Sequence, residues 1–183
     1  REAVLQKLSP GRQEHTLTAF WNYILHCELA HKIHEDERSW ADRDPSRLSR
    51  YEAVSSVYEK LRQADEGDFS ARLLSRVDSL ASQVAGIDLE KEPEKLTEVL
   101  YSHEMREMAD AVGAYLSEKE DVWLLFDNLD KGWPLRQSTS EQILILRALL
   151  EATRKLQRQF DKRSVNFHSL VFLRNDIYEH LLE

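Results

Sequence analysis

The chain has a single cysteine, Cys27, which excludes an internal disulfide framework and suits a reducing compartment. Its 5 glycines are scattered singly and no Gly-x-x-x-x-Gly-Lys-Ser/Thr run occurs, so the sequence itself contains no phosphate-cradling loop. Only 4 prolines interrupt it, which leaves room for long helices. No apolar run approaches the length of a membrane span, and the opening Arg1-Glu2-Ala3 has no signal-peptide layout, so no membrane partner and a cytoplasmic setting are expected. A surplus of positive charge is also missing. The net charge of -8 argues against a surface devoted to nucleic acid.

What is present is the profile of a soluble, helix-rich protein: 42% hydrophobic and 32% charged residues in 183, enough for one domain with a real core but not comfortably for two. The chain starts inside helical-looking sequence and stops mid-pattern at Tyr178 to Glu183 without a turn signal, so a piece of a longer protein is expected.

Apolar residues at helical spacing predict an amphipathic helix from Gln13 to about His34, with Leu17, Phe20, Trp21, Ile24, Leu25 and Leu29 on one face. Asp44-Pro45 predicts a capped helix start, with Tyr51, Val54 and Tyr58 buried. Further helices are expected from about Phe69 to Ala85 and from about Glu94 to Leu116. Residues 1–43 thus read as a helical segment and 44–118 as a three-helix insertion or subdomain beside a sheet.

Residues 119–183 differ. Val122-Trp123-Leu124-Leu125-Phe126 is a continuous apolar run that ends at Asp127, the pattern of a strand buried on both faces. A long helix from about Ser140 to Phe160 follows, then a second apolar run, Phe167 to Leu173, which ends at Arg174-Asn175-Asp176. Strand, helix, strand implies a parallel crossover, so Asp127, Asn128 and Asp130 share a sheet edge with Arg174, Asn175 and Asp176. The fold class is therefore helix-dominated α/β with at least two parallel strands. The carboxyl edge is where such sheets bind ligands.

The run Asp127-Asn128-Leu129-Asp130-Lys131, with the strand before it, resembles the Walker B segment of P-loop ATPases in the KAP and STAND-like branches. Phe172-Leu173-Arg174-Asn175-Asp176-Ile177 is similar to the sensor strand of a group of bacterial members associated with defence or stress responses. Ala19-Phe20-Trp21-Asn22-Tyr23 looks like the tryptophan-containing helix that follows the phosphate loop in KAP-like members. The resemblance covers residues 120–183 well and 13–34 weakly, and leaves 44–118 without a counterpart.

This resemblance implies a partial P-loop sheet that takes ATP and Mg, with Asp127 holding the metal and Arg174 or Asn175 meeting the γ-phosphate. It also implies a homo-oligomer and a phosphate loop upstream of Arg1, without which this stretch alone is inactive. Many relatives place a glutamate where Asn128 stands. An amide orients water but cannot take its proton, so Asp130 is the remaining acid and slow turnover is expected.

Two other functions compete. One is a non-catalytic, mainly helical module that binds an effector or partner protein. The other is a metal-dependent phosphohydrolase using Asp127 and Asp130, although the spacing lacks the aspartates two apart of haloacid dehalogenase enzymes. His31 and His34, with Glu35 or Cys27, form a further metal candidate, as do Met105 and Met108 with His103. In both places ordinary helix surface or packing accounts for the residues.

Overall fold

The computed structural model describes residues 10–61, 67–83, 94–129 and 140–182. They form α1 (Pro10–Asp36), α2 (Arg38–Ala41), α3 (Pro45–Leu61), α4 (Phe69–Gln83), α5 (Glu94–Leu100) and α6 (His103–Leu116). The order then continues β1 (Val122–Phe126), α7 (Ser140–Asp161), β2 (Phe167–Val171) and α8 (Asn175–Leu182). The architecture is helix-dominated with one two-stranded parallel sheet, an α/β arrangement. Among the described residues no helix is long and apolar enough to cross a membrane.

The expectation of a one-faced amphipathic first helix is corrected. Thr16 to Ala19 are buried in succession, as are Tyr23 to Cys27, because α1 runs through the middle of the molecule. It packs against α7 on one side and against α3, α5 and α6 on others. A helix covered all round shows no single apolar stripe. Its core residues Ile24 and Ala30 meet a cluster that includes Val54, Met108, Leu149 and Leu156, all essentially inaccessible. Each large aliphatic side chain in that cluster contributes about 1.5–3 kcal/mol through burial.

The cap at α3 forms as its sequence predicts: Asp44 Oδ1 accepts from the backbone N–H of Ser46 at 2.8 Å and of Arg47 at 3.3 Å. Those bonds, with the Ser46 hydroxyl, hold the Asp44 carboxyl below the usual carboxylate range. Between α1 and α3 lies α2, whose Trp40 ring is approached by two cations. Arg47 Cζ sits 4.2 Å and Lys119 Nζ 3.7 Å from its ring centroid, a cation–π pair of contacts. Lys119 also pairs with Glu37, and Tyr115 donates to the same carboxylate at 2.9 Å.

The single helix expected from Glu94 to Leu116 is two. Ser102 adopts a non-helical ψ of 168, and its hydroxyl accepts from Met105 N–H, so it starts α6 afresh.

The two strands pair in parallel register, Val122 opposite Phe167 through Phe126 opposite Val171. Asp121 fixes the entrance, accepting from Asn166 Nδ2 at 2.5 Å and meeting His168 Nε2 at 3.1 Å. Burial on both faces is not what β1 shows. Val122, Leu124 and Phe126 pack on the core, whereas Trp123 is 61% and Leu125 60% exposed. Leu170 and Phe172 are exposed too. Among the described residues nothing covers that face, and side chains alternate across a strand.

Candidate functional site

Asp127 follows the last residue of β1 and is exposed. Asn128 takes a left-handed φ of 59, a conformation asparagine tolerates better than most residues, and this turns it back onto its neighbour. Its backbone N–H donates to Asp127 Oδ1 at 2.8 Å and its Nδ2 to Oδ2 at 2.9 Å. The carboxylate is thereby held at both oxygens, each keeping a further lone pair directed elsewhere. Asn128 cannot orient a water with the amide hydrogen it gives to Asp127. Asp130 lies outside the described residues.

On the neighbouring strand, Phe172 N–H donates to Phe126 O at 2.9 Å, so the two chains leave the sheet side by side. Arg174 then forks onto Asp176, Nε to Oδ1 at 3.2 Å and Nη2 to Oδ2 at 3.1 Å. Asn175 opens α8, and its Nδ2 donates to Glu179 Oε1 at 3.0 Å, one turn along the helix surface. The fold thus brings Asp127 and Asn128 to one sheet edge with Arg174, Asn175 and Asp176, but each group is engaged locally.

An open cleft of about 510 Å³ lies against Asp127 and Asn128. Its apolar walls include Trp21 of α1, Phe69 and Leu73 of α4, and Leu149 of α7. Trp21 is fixed there, its Nε1–H donating to Ile145 O at 3.1 Å. Arg174 and Asn175 are not among the lining residues. The only charged side chain in the described lining is Asp127, a carboxylate that favours a cation over bare phosphate.

A single exposed carboxylate fits Mg²⁺, which commonly keeps several waters and relies on one or two carboxylates plus substrate phosphates. It does not make a cage by itself. Among the described residues no group of three or more His, Cys, Asp or Glu converges.

The other metal candidates have structural occupations. Cys27 is fully buried, His31 Nδ1 shares a hydrogen bond with the Tyr58 hydroxyl at 2.8 Å, and His34 stacks on Tyr51 at 6.5 Å between centroids. Met105 and Met108 are core residues, while exposed His103 pairs with Glu107 at 3.1 Å.

Sequence reasoning missed two contributors. Phe69 and Leu73 lie four apart on α4, in a block read as an insertion or subdomain beside the sheet with no site residues, yet they line the cleft. Arg72 and Arg76, also four apart, meet Glu28 of α1: Arg72 Nε lies 3.1 Å from Oε1 and its Nη2 2.5 Å from Oε2, with Arg76 Nε 4.0 Å from Oε1. The spacing that puts two guanidinium groups on one helix face was the available signal. Beside this clasp, burial pushes the Tyr23 phenol up to about 12, with Cys27 adding to the shift and Arg76 opposing it.

Comparison of the chain with protein-family models, with curated proteins and with solved structures gives no match.

Proposed function

We propose that this chain carries the magnesium-facing and γ-phosphate-facing part of a P-loop ATPase site, in a protein that couples nucleotide state to assembly or signalling, such as bacterial defence. The observation that supports it most is the in-register parallel pair, with Asp127 and Arg174 following its two strands at one carboxyl edge. The phosphate loop comes from polypeptide outside this sequence, and association of copies completes the site.

Bound magnesium supplies positive charge that offsets the transferring phosphoryl group. Asp127 holds its water shell through the lone pairs that Asn128 leaves open. Arg174 leaves Asp176 to meet the γ-phosphate, at the cost of a two-point ion pair. Asn128 has no acid or base function, so turnover is slow and regulated.

The second reading, a helical module that binds a partner protein and hydrolyses nothing, draws on Arg174 being already neutralised and on the exposed Trp123, Leu125, Leu170 and Phe172. Mg-ATP binding and hydrolysis by the protein expressed from its full reading frame separates the two, with Asp127→Ala beside wild type. Hydrolysis lost in a folded Asp127→Ala variant supports the ATPase. Wild type that neither binds nor hydrolyses ATP leaves the interaction module.

A further inference from the structure

The cleft beside Asp127 has a wall from a part of the chain that the ATPase resemblance leaves unassigned. Phe69 and Leu73 both come from α4, and Phe69 is 39% exposed at the cleft. Its side chain is thus partly open to a ligand in the cleft. The same helix turns Arg72 and Arg76 toward Glu28 on α1. Arg72 and Glu28 are only 13% and 16% exposed, and Arg72 Nη1 also donates to Gly67 O at 2.8 Å, just before the helix. A charge-assisted fork of this kind fixes direction as well as contact. It therefore sets where Phe69 stands.

We propose that α4 is the arm that receives the nucleobase, with Phe69 as the stacking wall and Glu28 as the residue that positions the arm. This rests on the ATPase reading of the same site. The cleft's chemistry divides as such a ligand does: apolar side chains on α1, α4 and α7 suit a flat base, while Asp127 suits only a metal-bound phosphate tail. Its volume of about 510 Å³ lies within the range of small-ligand sites. Base stacking on an aromatic ring is sequence-tolerant, so Phe69 adds affinity for a nucleotide over its bare phosphates without selecting one base strongly.

The test compares Mg-ATP with Mg-tripolyphosphate, which has the phosphates and no base, by titration calorimetry on the protein from the full reading frame. Phe69→Ala is expected to weaken ATP about tenfold and leave tripolyphosphate unchanged, while Phe69→Trp retains ATP binding. Glu28→Gln, which leaves every cleft side chain in place, is expected to weaken ATP and spare tripolyphosphate. Circular dichroism and thermal unfolding verify that each variant is folded. The proposal is overturned if Phe69→Ala binds ATP as wild type does, or weakens both ligands alike. Loss of both ligands, or of neither, in Glu28→Gln overturns the positioning role. Wild type that binds both ligands equally well removes the base wall and leaves the ATPase reading standing, whereas wild type that binds neither removes both.

Discussion

Arg174 and Asp176 form a two-point fork where β2 leads into α8, with both carboxylate oxygens engaged at 3.1–3.2 Å. Only one residue separates them, so the fork forms from local sequence. Any role for Arg174 in meeting a phosphate requires this pair to open.

Asp176→Asn therefore increases Mg-ATP turnover several-fold if Arg174 is the γ-phosphate contact, because the guanidinium is released. Arg174→Ala lowers turnover by roughly two orders of magnitude, the scale of losing one transition-state donor. Steady-state kinetics on both variants decides it. If neither changes turnover, the fork is structural, and a half-exposed pair of this kind is worth about 1 kcal/mol or less.

His26 makes stability depend on pH. It is 1% exposed, donates through Nδ1–H to Asn22 O at 2.8 Å, and packs against Phe160. Burial lowers its pKa below the ordinary 6.5, with Arg163 adding to that effect and the Asn22 bond opposing it. The unfolded chain thus binds a proton that the folded chain resists. Stability is full above about 6.5 and declines as pH falls toward the folded value. Thermal unfolding measured from pH 8 to pH 5 should show this decline, and His26→Gln should flatten it.

Asp44 acts in a lower window. Its pKa is depressed by the Ser46 and Arg47 bonds, so its capping contribution is complete above the ordinary carboxylate value and is lost as pH falls below it. Asp44→Ala lowers the melting temperature at pH 7, and the difference from wild type narrows in acid. An unchanged melting temperature at pH 7 would show that the cap adds nothing to α3.

Leu156 is inaccessible between α7 and the rest of the core. Leu156→Ala is expected to cost about 2–5 kcal/mol in urea unfolding, the range for a cavity left by a large aliphatic side chain. Leu125, at 60% exposed on the outer face of β1, is the contrast. Leu125→Lys should alter stability by about 0.5 kcal/mol or less and reduce self-association in light scattering.

Local patterns made much of this fold legible. Asp44-Pro45 announced a helix start, and two apolar runs separated by a long amphipathic helix announced a parallel pair that delivers Asp127 and Arg174 to one edge. The exposed face of β1 was not legible, because an unbroken apolar run reads the same whether or not anything covers its second face. The all-round burial of α1 escaped for a related reason: Thr18 and His26 look polar in sequence but are satisfied inside, Thr18 Oγ1 donating to Glu14 O and His26 Nδ1 to Asn22 O, each at 2.8 Å. The four-residue spacing of Arg72 and Arg76 put both on one helix face, but their partner Glu28 lies in a distant part of the chain that this spacing does not name. Ser102 had the chemistry of a cap, but apolar spacing on both sides hid the break it makes.

The parallel register has a consequence for how the molecule comes together. Val122 and Phe167 are separated in sequence by the whole of α7, so pairing them closes a long stretch of chain that a formed and docked α7 shortens. Ladders between distant segments form late, after local helices have reduced the cost of closing the intervening chain. The sheet, with Asp127 at its end, is thus expected to assemble late and to open early in a native-state excursion. Its amides should exchange with solvent hydrogen faster than those of α1, although both belong to one core.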